Sequence, residues 1–377
     1  MNFKKSKIRS LVLLVLAAVA FCGLIWFANK DRPVYRSSNM AGTDYEVGRV
    51  LRVVEDHKTV DEEMDGIWRG SMTLEVEILT GRYKGDTAIV ENYFSSLYNV
   101  RVAEGDKISI RIDTTGEDEY QVSVYNYYRV PQMIGCIVAF VLLLVLIGGK
   151  KGAKSVAGLA FTVVCILWIL LPLALKGYSP LAVTILLILV CNFVSFFLID
   201  GISTKTVVAA IGSMLGVLAG AVFALIAQNA MSITTYQMDE AETLLLITST
   251  TELKIRDLFL CGILISCMGA VMDVAMSICS AVAEIHQVDR SLGMAKLFAS
   301  GMKMGTMANT LILAVAGTSL NMMLMIYSYD VSFQQLMNTD FVAIEIIQCI
   351  AGSVGIVCTV PLVALLSAAV FGKKTKK

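Results

Sequence analysis

The sequence predicts a polytopic α-helical membrane protein with about eight transmembrane helices and a small all-β domain between the first and second of them. Two observations predict this fold class. Of the 377 residues, 56% are apolar and only 16% are charged, whereas a soluble domain carries about 25% charged residues. The charge is also segregated, because residues 30–129 hold 13 Lys/Arg and 19 Asp/Glu while the rest of the chain holds 18 and 12. The zero net charge therefore combines an acidic part with a basic part.

Apolar runs long enough to cross a bilayer define the predicted spans. They lie at residues 9–28, 131–149, 155–175, 180–199, 206–228, 257–281, 305–327 and 343–371. The chain is thereby divided into an anchor with a basic start (1–29), a β-rich domain (30–130), a seven-helix membrane domain (131–371) and a basic tail (372–377). Because the first run continues to Phe27, past the cleavage-like Ala18-Val19-Ala20, we predict a retained anchor rather than a cleaved signal peptide.

The distribution of Lys and Arg predicts the orientation of the spans. With the N-terminus inside, the predicted cytoplasmic segments carry 15 Lys/Arg and the short external loops carry three. Both termini are therefore expected in the cytoplasm and residues 30–130 outside it. The expected location is the plasma membrane of a bacterial cell.

Residues 30–130 alternate between apolar and polar side chains, as β-strands do. Five strands are predicted, at Tyr45–Val54, Ser71–Leu79, Asp86–Glu91, Asp106–Ile112 and Tyr120–Tyr128. Five short strands within about 100 residues predict a small barrel of OB-like character. The net negative charge of this domain would repel phosphate backbones, so nucleic acid is not an expected partner.

The sequence contains no catalytic or metal-binding signature. All nine cysteines lie in apolar runs, where such thiols are typically small core- or lipid-facing residues, and the two histidines are far apart. There is no His-Glu-x-x-His, no Gly-x-Ser-x-Gly and no Gly-rich loop with the Lys that cradles phosphate. We therefore expect no enzymatic activity, no metal site and no cofactor.

Asp273 is the most informative polar residue in a predicted span. A carboxylate at the bilayer centre costs about 2.5–3.5 kcal/mol on insertion scales, so it should face a partner, a cation or water. Helical geometry brings polar side chains of the fourth and seventh spans to a similar depth, in the cytoplasmic half of the membrane. The candidate polar membrane site consists of Asp273, Thr306, Asn309, Thr310, Asn192 and Ser195. A structural Asp that joins helices is the alternative, and interhelical hydrogen bonding is preferred for Asn192 and Asn309 taken alone.

Gly212, Gly216 and Gly220 occur at every fourth position of the fifth span. A stripe of small residues allows two helices to approach closely. The stripe predicts either packing inside the molecule, which is the preferred interpretation, or a face between two copies.

Three motifs in the membrane half resemble those of the YibE/F-like family of bacterial membrane proteins. They are Gly269-Ala-Val-Met-Asp-Val-Ala-Met-Ser277, Met304-Gly-Thr-Met-Ala-Asn-Thr-Leu-Ile-Leu313 and Asp200-Gly-Ile-Ser-Thr-Lys205. The resemblance covers most of residues 130–371 and implies a multi-pass architecture preceded by the family's external region, but no particular activity. One departure is visible, since Gly301-Met-Lys303 stands where such proteins often have an acidic residue.

The polar site and the architecture together predict a transporter or permease of unknown substrate. The alternative is a non-transporting cell-envelope scaffold whose external β-domain binds a partner. The expected partners are the lipid bilayer, a small ion or solute, and a second copy or a related membrane protein.

Overall fold

A computed structural model describes residues 18–33, 42–62, 66–114, 119–233, 241–303, 320–328 and 332–372, with the isolated positions 16, 64, 313 and 317. The chain forms two compact units. One comprises residues 36–143 and contains the β-sheet, and the other comprises residues 1–35 and 144–377 and contains most of the helices.

The smaller unit contains an antiparallel sheet that curls into a half-barrel. Its strands are β1 (Thr43–Asp56), β2 (Thr59–Val60), β3 (Trp68–Ile78), β4 (Thr87–Phe94), β5 (Lys107–Thr114) and β6 (Tyr120–Tyr127). The order across the sheet is β4-β3-β1-β5-β6, and the short β2 pairs with the start of β3. The two end strands, β4 and β6, approach each other, so the sheet encloses its core on the concave side.

Alternating side chains build this core. Every second residue of β3 from Met72 to Ile78 is buried, and Ile108, Ile110 and Ile112 of β5 are buried beside them. Each such side chain contributes about 1.5–3 kcal/mol when it is fully removed from water. Strands occur in all five regions where alternation predicts them, while β2 is an additional strand in the polar stretch after β1.

The other regular elements of the described chain are helical. They are α1 (Ala18–Asn29), α2 (Val130–Cys165), a π-helix (Ile166–Leu170), α3 (Leu171–Leu175), α4 (Pro180–Asp200), α5 (Thr204–Ala230), α6 (Ala241–Thr248), a 3₁₀ turn (Ile255–Asp257), α7 (Leu258–Val288), α8 (Met294–Met302), α9 (Leu320–Ser328), α10 (Phe333–Met337) and α11 (Asp340–Gly372). Five stretches of the described residues are long and apolar enough to cross a membrane, namely Val130–Leu175, α4, α5, α7 and Val342–Gly372.

The helical stretch Val130–Leu175 changes direction at Gly149, whose φ is +54°. A Cβ on Gly152 would lie 2.0 Å from the carbonyl oxygen of Leu144, although eight residues of straight helix span about 12 Å. The chain therefore folds back sharply at this point. Residues 130–148 and 150–175 are each long enough for a hydrocarbon core of about 30 Å.

The predicted spans and the described helices agree in part. Four predicted spans each coincide with one long helix (α4, α5, α7 and α11), and α7 continues seven residues beyond its predicted end to Val288. Two predicted spans lie on either side of the bend at Gly149. Of the first span, α1 is described, and the predicted span at 305–327 lies mostly outside the described residues. The structure thus shows five membrane-length helical stretches, and the eight predicted spans stay a prediction.

A hydrogen bond to a backbone carbonyl near Pro172 connects α1 to the other helices. Pro172 has no N–H, so the carbonyl of Trp168, four residues earlier, loses its helical donor. The side-chain amide of Asn29, at the end of α1, donates a hydrogen bond to that carbonyl at 2.8 Å. Ala28 beside it is fully buried in the helical core. These contacts make α1 a packed part of the helical unit.

The glycine stripe of α5 faces α11. Gly212, Gly216 and Gly220 all come so close to α11 that an added Cβ would overlap it. A Cβ on Gly216 would lie 1.7 Å from Thr359 Oγ1, and one on Gly220 would lie 2.9 Å from the carbonyl oxygen of Ala351. The stripe therefore permits close packing within one chain, with backbone against backbone at Gly220.

Candidate polar site in the membrane helices

The outward face of α7 carries a stripe of polar and small residues. Asp273 is the middle residue of this 31-residue helix, about 22 Å from either end. Its side chain is exposed, and among the described residues no group pairs with its carboxylate or donates a hydrogen bond to it. The stripe continues at intervals of three or four residues through Gly262, Ser266, Gly269, Asp273, Ser277, Ser280 and Glu284, of which only Ser280 is half-buried.

The opposite face of α7 is apolar and buried against α4, α5 and α11. This arrangement divides the motif 269–277 between two surfaces. Val271, Val274 and Ala275 lie in the helical core, whereas Asp273 and the residues four before and four after it point outward. A carboxylate on a bilayer-length helix has to contact water, a cation or a polar partner, because placing its charge in the hydrocarbon core of the bilayer costs free energy. The outward stripe is therefore the face on which such a contact must form.

Asn192 and Ser195 occupy a different position, buried in α4. Ser213 of α5 donates a hydrogen bond to Asn192 Oδ1 at 3.3 Å, and the amide nitrogen of Asn192 is buried without a hydrogen-bond partner in the described structure. Ser195 packs against Gly158 of α2, where an added Cβ would lie 3.3 Å from its Oγ. Within the described parts of the chain, no hydrogen bond links either residue to Asp273.

Thr306, Asn309 and Thr310 lie outside the described residues. The gathering of all six predicted residues into one polar site therefore stays a prediction. What the structure supplies is the placement of three of them, with Asp273 on an exposed helix face and the two α4 residues in buried positions.

The motif 200–205 builds the turn between α4 and α5. Asp200 pairs with Lys205 at 3.2 Å and with Lys151 at 3.8 Å. Ser203 caps the first turn of α5 by accepting a hydrogen bond from the backbone N–H of Thr206 at 3.2 Å. Such capping typically contributes about 1 kcal/mol. The described contacts of this motif are structural, and they hold together the ends of neighbouring helices.

Sequence reasoning singled out Asp273 but missed the rest of its stripe. Ser266, Ser277 and Ser280 are common residues in membrane helices, so none of them draws notice alone. Counting from Asp273 in steps of three and four would have found them, because these steps follow one face of a helix. Ser213, the partner of Asn192, was also missed, since its relation to Asn192 depends on how α4 and α5 pack.

Comparison with known families agrees with this architecture. The model of the YibE/F-like protein family matches residues 136–373, which is more than half of the chain. The chain belongs to the YibE/F-like family. The model of the YibE/F family N-terminal domain matches residues 40–127, which contain the half-barrel. No curated protein and no solved structure matches this YibE/F-like chain. The family and the five apolar helical stretches are consistent with an integral membrane protein.

Proposed function

We propose that this YibE/F-like protein is a transporter or permease for a small ion or solute, and that its pathway passes Asp273. The outward stripe of α7 carries the proposal. If this stripe faced lipid, the carboxylate would cost about 2.5–3.5 kcal/mol at mid-helix. A hydrated or cation-binding pathway removes that cost, and the serines on the same face supply further oxygen atoms. Glu284 extends the polar surface toward the end of α7.

The test of this proposal begins with a ligand screen of the purified protein. A ligand that binds only the folded state stabilises it by about 2.7 kcal/mol when present at 100 times its Kd. Alkali and divalent cations and a panel of small metabolites are therefore screened for a rise in Tm. Uptake of each ligand that raises the Tm is then measured in proteoliposomes. Transport requires uptake above that of empty liposomes, and binding without uptake would contradict it.

The proposed topology has eight spans, both termini in the cytoplasm and residues 30–130 outside. We expect a cysteine introduced at Lys84, in the exposed turn before β4, to react with a membrane-impermeant maleimide in intact cells. A cysteine at Lys151, which follows the bend in α2, should react only after lysis. A fluorescent protein that matures only in the cytoplasm, fused to the C-terminus, should fluoresce if that terminus is cytoplasmic. Protection of the Lys84→Cys variant until lysis would reverse the orientation.

A second candidate function rests on an apolar patch of the half-barrel. The patch consists of Ile89, Tyr93, Leu97 and Tyr98, which are 63–89% exposed and lie on β4 and just after it. Among the described strands β4 is hydrogen-bonded only to β3, and its other edge approaches β6. Exposed apolar patches commonly mark protein-binding surfaces. The strand order β4-β3-β1-β5-β6 is compatible with an OB-like barrel that has one open seam. This patch favours an envelope scaffold whose β-domain binds a partner.

Site-specific photocrosslinking distinguishes this scaffold role. A photoreactive amino acid at position 97 or 93 should yield one discrete crosslinked protein, because both positions lie in the patch. The same group at Lys107, an exposed residue at the start of β5, serves as the matched control and should yield none. The crosslink at position 93 should also disappear in a Leu97→Ser/Tyr98→Ser background with the sheet still folded. Equal crosslinking at all three positions would contradict a specific docking patch.

A further inference from the structure

A small sulfur-lined cavity lies between α2, α4 and α7, inside the helical unit. Its volume is about 10 Å³, close to the minimum for one water molecule. Three helices each contribute one sulfur-containing residue to its lining, namely Cys165 at the end of α2, Cys191 of α4 and Met268 of α7. These side chains are 0%, 2% and 7% exposed. The cavity therefore has three buried residues with soft sulfur-containing side chains in one lining.

The polar groups around the cavity are few and buried. The thiols of Cys165 and Cys191 interact with each other, and the hydroxyl of Thr162 interacts with Cys191. Thr184 also lines the cavity and is 1% exposed. Its hydroxyl neighbours the Cys261 thiol but makes no hydrogen bond of acceptable geometry. A buried hydroxyl without a partner costs about 1–3 kcal/mol, so one of the residues that line the cavity carries a polar group whose hydrogen-bonding capacity is unmet.

The backbone next to Cys165 is irregular. The π-helix begins at the following residue, and the N–H of Leu171 bonds to the carbonyl of Ile166, five residues earlier. π-Helical turns are rare and occur frequently at functional sites. The irregularity therefore marks this cavity independently of its sulfur atoms.

We propose that Cys165, Cys191 and Met268 form a binding site for a soft monovalent metal ion, Cu(I). Thiolate and thioether sulfur select Cu(I) over harder cations. No carboxylate or imidazole is among the described residues that line the cavity, and no three His, Cys, Asp or Glu side chains of the described chain gather to hold a metal. A harder divalent ion therefore lacks its usual ligands here. This inference does not depend on the transport proposal.

Charge balance also favours a monovalent ion. When Cu(I) binds, one thiol loses its proton, a copper–sulfur bond forms, and the proton is released to the solvent; the copper remains Cu(I), so no oxidant or reductant is consumed. The product, one thiolate, one thiol and one thioether around Cu⁺, has no net charge. A neutral site avoids the cost of placing a charge inside the membrane. Release of one proton per ion predicts that affinity falls about tenfold for each pH unit of acidification.

The experiment measures Cu(I) binding by the purified full-length protein, without oxygen and with ascorbate as reductant. A chromophoric Cu(I) chelator competes for the metal, and Ag(I) serves as a redox-inert second probe. The exposed Cys22 and Cys136 are first replaced by Ser, so that surface thiols do not contribute. We expect one equivalent of Cu(I) per chain, coordinated by three sulfur atoms in X-ray absorption spectra.

Met268→Leu is the decisive variant, because it removes the thioether and nearly conserves side-chain volume. It should weaken Cu(I) binding at least tenfold and leave two sulfur ligands, while Met276→Leu on the same helix should bind normally. Cys165→Ser/Cys191→Ser should abolish the site, whereas Cys267→Ser, at a buried cysteine that does not line the cavity, should keep it. Unchanged binding in Met268→Leu, or equal binding in the double-serine variant with an unchanged metal-free Tm, would overturn the proposal.

Discussion

Replacing Asp273 by Asn should abolish transport and leave the protein folded. Asn keeps the volume and hydrogen-bonding capacity of the side chain but removes its negative charge. Since a charge at mid-membrane costs about 2.5–3.5 kcal/mol, the variant should insert at least as well as the wild type and unfold at the same or a higher temperature. We expect at least a tenfold loss of uptake per folded molecule in proteoliposomes. The Tm increase caused by the transported ligand should be lost as well.

Variants of the neighbouring residues separate a pathway from a general effect on the helix. Ser277→Ala, one turn along the stripe, should reduce uptake less than Asp273→Asn does, and so should Thr306→Ala and Asn309→Ala if they are supporting ligands. Asp289→Asn makes the same chemical change just beyond the end of α7, so it serves as the matched control and should keep full uptake.

The opposite result has an equally definite meaning. If Asp273 is a structural residue that joins helices, Asn will substitute well and Asp273→Ala will mainly lower the Tm. Full uptake by the Asn variant would therefore remove Asp273 from the pathway. The stripe would then be a packing face, and the patch on β4 would become the better lead to function.

The half-barrel was predictable because its physical signal is local. In β3, alternation alone assigns Met72, Leu74, Val76 and Ile78 to the core, and all four are buried. Each strand has one solvent-exposed face and one buried face, so the sequence shows which residues point inward. What the sequence did not show is the order of the strands, because pairing such as β1 with β5 joins residues far apart in the chain, for example Thr43 with Asp113.

The membrane helices were predictable in position but not in orientation about their own axes. In a lipid-embedded helix both the packed and the lipid-facing sides are apolar, so periodicity says little about which side faces a neighbour. The sequence therefore did not show that Asn192 is buried in α4 while Asp273 is exposed on α7, and the prediction that they share a site stays a prediction. The same reason explains why the cavity lined by Cys165, Cys191 and Met268 was missed, since these residues come together only when three helices pack.

Substitutions in the glycine stripe should destabilise the protein strongly and in a position-specific way. In an ordinary helix, Gly→Ala stabilises by about 0.8–1.0 kcal/mol. In α5 the added methyl group must instead displace α11, and overpacking of this kind typically costs about 1–3 kcal/mol. We therefore expect Gly216→Ala and Gly220→Ala to lower the Tm in detergent. Gly262→Ala in α7, where an added Cβ meets nothing within 4 Å, should leave it unchanged or raise it.

The two glycine positions should differ in whether a second substitution rescues them. At Gly216 the closest overlap is with Thr359 Oγ1 at 1.7 Å, while the carbonyl oxygen of Gly355 lies at 3.0 Å, so Thr359→Ala should restore part, but not all, of the stability lost in Gly216→Ala. At Gly220 the overlap is with the carbonyl oxygen of Ala351, which no side-chain change removes, so Thr359→Ala should give no recovery. A double-mutant cycle of thermal unfolding measures both coupling energies. Equal Tm values for Gly220→Ala and Gly262→Ala would show that α5 and α11 do not pack backbone to backbone.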